Sequence, residues 1–186
     1  MNQIASQNAP SPKVVIPHYA FGGLTWFAVT LLIVFHPEAF TQHFFNPELL
    51  AITHLLVLGW ITMIIFGALY QLLPVIMEVK LYSEPFAIAS FIMLGIGTIL
   101  LAFAFWHFSF GAILFVAATF VVVAVGLFVA NVLFTAHSST KKIIERTFIV
   151  TSVIWLLFTV LAGLTLAINQ VYPFLKTSQI ELLKLH

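Results

Sequence analysis

Residues Leu49 to Met77 read LLAITHLLVLGWITMIIFGALYQLLPVIM, without one Asp, Glu, Lys or Arg. An α-helix needs about 20 apolar residues to cross a bilayer, and this stretch exceeds that. Its residues are continuously apolar rather than alternating. That favours a helix, which satisfies its own backbone in lipid, over a barrel strand. Three more uncharged runs lie outside it: Val14 to Pro37, Pro85 to His137 and Thr147 to Leu175. The run from Pro85 is too long for one span, and His107-Phe108-Ser109-Phe110-Gly111 at its midpoint supplies a tight turn. Spans are expected at about 19–36, 50–76, 86–106, 111–136 and 147–170. The expected fold class is all-α, an integral membrane bundle of about five transmembrane helices. Residues 1–17 read as a flexible polar tail, 18–175 as the transmembrane domain and 176–186 as a C-terminal tail.

Composition agrees. The chain is 62% hydrophobic and 7% charged, with mean hydropathy +1.13. Soluble domains carry roughly 25% charged residues to cover their surface. The net charge of +1 leaves no basic face for nucleic acid. There is no Cys, which removes disulfides, thiolate metal sites and Cys-linked haem attachment. No nucleophile–base pair, phosphate loop or paired acid–base carboxylates occur in the sequence. The remaining metal-capable groups are seven His, four Met and the Glu residues, since the sequence has no Asp.

Basic residues set an expected orientation. Lys13, Lys80, Lys141, Lys142 and Arg146 fall on one side of the five-span arrangement. The opposite side has Glu38 and Glu48 in its first loop, with Lys176 and Lys184 only in the tail. The positive-inside rule puts the N-terminus in the cytoplasm and the C-terminal tail outside, in a cell membrane such as the bacterial inner membrane.

With no charge inside the spans, the polar side chains there are the informative ones. Asn131, Asn169 and Gln170 are expected to hydrogen-bond between helices or lie at the interface. His54 sits about one turn inside its span among Leu50, Ile52, Leu55, Leu56, Val57 and Leu58, and needs a hydrogen bond, a metal or a haem iron. His36, His43 and His107 fall on the same side of the membrane as His54, and His18 and His137 on the other.

The stretch from His54 to Pro74 resembles the tenth helix of the catalytic subunit of the cbb-type haem–copper oxidases. The matching residues are Leu58-Gly59-Trp60, Met63, Gly67-Ala68-Leu69-Tyr70 and Pro74. The likeness continues through Leu81-Tyr82-Ser83 to Phe91, Gly95 and Trp106, under a third of the chain. In this alignment His54 falls on the family's low-spin haem ligand. The high-spin haem ligand falls on Ile52, which cannot hold iron, and the helices carrying the copper ligands have no counterpart. The resemblance thus implies a haem–copper-oxidase-like arc of helices and a low-spin haem b, held by iron at His54, without the oxygen- or nitric-oxide-reducing centre.

That resemblance implies a membrane b-type cytochrome, suited to electron transfer. Gly59 and Trp60 are expected beside the porphyrin. The second axial ligand would be His54 of another subunit, or His107 or His36 of the same chain. The family closes three arcs of helices in one chain, so a homo-oligomer is expected here, a dimer or a trimer. Two other functions stay open. One is a copper-binding or transport protein using the His residues on the His54 side. Copper(I) prefers thiolate and thioether ligands, and Met63, Met77 and Met93 form no dense path. The other is a cofactor-free assembly subunit using His54 as a hydrogen-bonded core residue.

Overall fold

A computed structural model of the chain describes residues 8–140 and 143–175. Five helices are long and apolar enough to cross a membrane, and the protein is a multi-pass helical membrane bundle. They are α1 (Pro12–Phe35), α2 (Pro47–Met77), α3 (Glu84–Trp106), α4 (Ala112–Ser138) and α5 (Ile144–Val171).

Local sequence fixes three of the five starts. Ser11-Pro12, Asn46-Pro47 and Ser83-Glu84-Pro85 each put a side-chain acceptor before a proline. The acceptors cap backbone N–H groups of Lys13, Leu49 and Phe86 at 3.2, 3.1 and 3.3 Å. Proline fits the first turn because its missing N–H would have no helical partner there.

The turn expected at 107–111 forms. Phe108 donates to the Phe105 carbonyl at 2.9 Å and Ser109 to that of Ala104 at 2.8 Å. This paired closure of a helix end normally uses glycine at its left-handed position. Here Phe108 takes it, with φ 49°, and its ring packs against Phe110 at 4.4 Å and Phe45 at 5.7 Å.

The first boundary is corrected. The helix begins at Pro12, not near 19, so residues 12–17 belong to α1 rather than to a flexible tail. The expected C-terminal tail, 176–186, lies outside the described residues, as do Lys141 and Lys142.

The core is built on α2, α3 and α4. Phe66 stacks on Phe128 with centroids 3.6 Å apart and planes within 6°. Tyr70 meets Phe128 edge-on at 5.3 Å, and its hydroxyl shares a 2.7 Å hydrogen bond with Ser90. One polar stripe on α4 ties down the α2–α3 connection. Asn131 accepts from the Ser83 N–H at 3.0 Å and donates to the Ser83 carbonyl at 2.8 Å. One turn on, Thr135 accepts from the Tyr82 N–H at 3.0 Å. Ser139 donates to the Met77 carbonyl at 3.0 Å. Such bonds within membranes average about 0.6 kcal/mol, so they fix geometry more than they add stability. Asn131 therefore serves the interhelical role expected of it. Asn169 instead caps its own helix end, accepting from Phe174 and Leu175 at 2.9 and 2.8 Å.

The helices do not pack evenly. Both halves of α2 pack on α1; the first half also packs on α3, and the second half reaches α4. α5 lies on α4, and its buried residues are Val153, Ala167 and Asn169. In mid-course α2 widens into a π-helical segment, Leu55–Thr62, starting immediately after His54. Such segments are rare and occur frequently at functional sites.

Candidate functional site

His54 lies in the second turn of α2, half-buried. Its Nδ1 is 2.7 Å from the Leu50 carbonyl. A carbonyl only accepts, so Nδ1 carries the proton and Nε2 presents a lone pair. The ring stacks on Phe105 of α3, centroids 4.3 Å apart and planes 29° from parallel. Stacking covers one face of the imidazole and leaves its in-plane nitrogen clear. Nε2 has no hydrogen bond among the described residues, yet it is not enclosed either.

His18 has the same local geometry and the opposite surroundings. Its Nδ1 donates to the Val14 carbonyl at 2.7 Å. The residue is fully buried, with Nε2 unpartnered among the described residues. Tyr70 and Phe91 wall its ring at 5.4 and 5.1 Å, and its Cβ fills the notch at Gly67. His18 is thus a second imidazole well inside a span, because α1 begins at Pro12 and not near 19. The spacing Val14, His18, Gly22, Thr25, Val29 is the buried face of α1 and was readable as helical.

The other site residues separate. Gly59 is buried at the crossing of α1, α2 and α3, where an added Cβ would lie 2.5 Å from Thr25 Cγ2 and 3.2 Å from Thr98 Cγ2. The close approach that its small size permits is between helices of one chain, and no porphyrin fits at that point. Trp60 lies against Trp26 of α1 at 4.2 Å, while His54 faces α3. His107 packs on Phe103 at 4.4 Å, His43 on Phe44 at 4.3 Å, and His36 edge-on to Trp106 at 5.1 Å. The four imidazoles on this end do not gather. Among the described residues, one group of three or more metal-capable side chains has its donor atoms within 4.8 Å of one another, and it is His36, Glu38 and Glu48. The sequence shows these three as loop residues, and their convergence depends on how α1 and α2 meet.

Comparison with protein-family profiles, characterised proteins and solved structures finds no match to this chain. The chemistry must be read from the side chains. A groove of about 220 Å³ between α2 and α3 is lined by Ala51, Leu55, Ala102, Phe103, Trp106 and His107, and His54 is not part of its lining. Ligand pockets run to about 300–1,000 Å³, so one chain does not enclose a group of porphyrin size here. The donor chemistry fits such a group: an imidazole with its tautomer set by the Leu50 carbonyl and its Nε2 lone pair not hydrogen-bonded among the described residues.

Proposed function

We propose that this protein is a membrane haem b-binding protein in which His54 is an axial ligand. The observation carrying the proposal is the 2.7 Å bond from Nδ1 to the Leu50 carbonyl, which holds the ring and leaves the Nε2 lone pair without a hydrogen bond among the described residues. The oxidase-like pattern from Ile52 to Trp106, with His54 at the low-spin ligand position, supports it. When bound, the haem would supply one-electron transfer. Leu50 orients the imidazole, Phe105 supports one ring face, and the widened helix after His54 sets the azimuth of the side chain.

His36 is drawn toward Glu38 and Glu48, and His107 toward Phe103. A second copy is therefore the better source of the second ligand, with two His54 side chains on opposite faces of one porphyrin. The test is haem content per polypeptide together with particle mass in mild detergent. The expected result is a red preparation with sharp reduced α and Soret bands, dimeric, with one haem per two chains. Colourless protein refutes haem binding, and a monomer with one tightly held haem refutes sharing.

The same reading puts the end carrying Lys13, Lys80 and Arg146 in the cytoplasm of the cell. The Ser11 N–H donates to Glu84 at 2.8 Å, and Arg146 reaches the Ser139 carbonyl at 3.4 Å. Single cysteines at Glu48 and Thr140 are expected to label from opposite sides, Glu48→Cys from outside. Labelling of Glu48→Cys only from the cytoplasmic side inverts the assignment.

A further inference from the structure

We infer that His36, Glu38 and Glu48 form a binding site for a divalent first-row transition cation, of which zinc is the probe, where α1 meets α2. This inference is independent of the haem proposal. His36 Nδ1 stands 3.4 Å from Glu48 Oε1 and 3.7 Å from Glu38 Oε1. A protonated imidazole bonded to a carboxylate would draw the oxygen to about 2.7–2.9 Å. Neither oxygen comes so close, and His36 makes no side-chain hydrogen bond among the described residues. Two ligands on a tetrahedral ion, each about 2.1 Å from the metal, lie about 3.4 Å apart. The spacing suits three donors around one cation.

All three donors stand on hydrogen-bonded backbone. The His36 N–H closes the end of α1 on the Leu32 carbonyl at 2.9 Å, and Pro37 prevents the helix from continuing. Glu38 lies in the 3₁₀ turn Pro37–Phe40, where its carbonyl accepts from the Thr41 N–H and hydroxyl at 3.1 and 3.0 Å. Glu48 is in the first turn of α2, capped by Asn46. The perpendicular Trp106 ring fixes the His36 plane. Glu38 is 54% exposed and the other two side chains about a third, so the ion has an entry path.

The donor set selects the metal class. One imidazole and two carboxylates suit zinc, manganese or iron(II), whereas copper(I) prefers sulfur. Two carboxylates also balance a doubly charged ion. Bound there, the ion would clamp the end of α1 to the start of α2.

Titration calorimetry of the full chain in detergent with zinc chloride tests the site. One zinc per chain is expected, accompanied by a rise in melting temperature. His36→Ala, Glu38→Gln and Glu48→Gln should each weaken binding at least tenfold and remove that rise. His43→Ala should bind as wild type does. If a variant fails to fold, the remaining two decide. Absence of stoichiometric zinc binding overturns the inference, as does binding that survives both carboxamide substitutions. Equal loss in His43→Ala also overturns it.

Discussion

His54→Ala protein is expected to lose the low-spin haem spectrum completely, while Ile52→Ala keeps it. The first substitution removes the imidazole in the second turn of α2, whose Nδ1 is held by the Leu50 carbonyl and whose Nε2 makes no hydrogen bond among the described residues. The second deletes part of a buried aliphatic side chain, 3% exposed, that cannot ligate iron. Ile52→Ala should lower stability by about 2–5 kcal/mol through lost packing without moving the absorption bands. It therefore separates unfolding from loss of a ligand. Imidazole added to His54→Gly protein should restore part of the low-spin signal by entering the vacated space. Optical spectra of the reduced proteins read all three. An unchanged spectrum in His54→Ala would remove His54 from the iron and with it the argument for a shared site.

The second large effect is expected at Gly67. A Cβ there would lie 2.8 Å from His18 Cβ and 3.6 Å from the Val15 carbonyl. Carbon atoms in contact sit about 3.5–4.0 Å apart, and His18 Cβ is fixed to the α1 backbone. The side chain cannot swing aside, so α1 as a whole must retreat from α2. Gly67→Ala is expected to destabilise by about 1–3 kcal/mol, with bulkier residues worse. Gly163, on exposed α5, has nothing within 4 Å of an added Cβ. Gly163→Ala should change stability by less than about 1 kcal/mol, in the direction of helix propensity. Denaturation of the two variants in the same detergent checks the contrast. Equal stability of Gly67→Ala and wild type would mean that α1 does not dock against this part of α2.

Sequence alone determined the span count and the turn at 107–111. The physical reason is local. In lipid each backbone group must be bonded within its own helix, so apolar length and the nearest capping residue decide the element. The start of α1 was misjudged because Pro12 and Lys13 read as tail, although a capped proline opens a helix as readily as it ends a loop.

What faces what was decided only by tertiary structure. These helices are apolar on nearly every side, so no hydrophobic stripe marks the packing face. Nothing local says that His18 is fully buried while His54 is only half-buried. The partners of Gly59 come from α1 and α3 and those of Gly67 from α1, far away in sequence, and the π-helical segment after His54 alters the azimuth that a regular helix would give. His36, Glu38 and Glu48 converge because the end of one span and the start of the next are packed side by side. Spacing along the chain could show that three donor residues existed near that loop, and only the docking of α1 on α2 placed their donor atoms within reach of one ion.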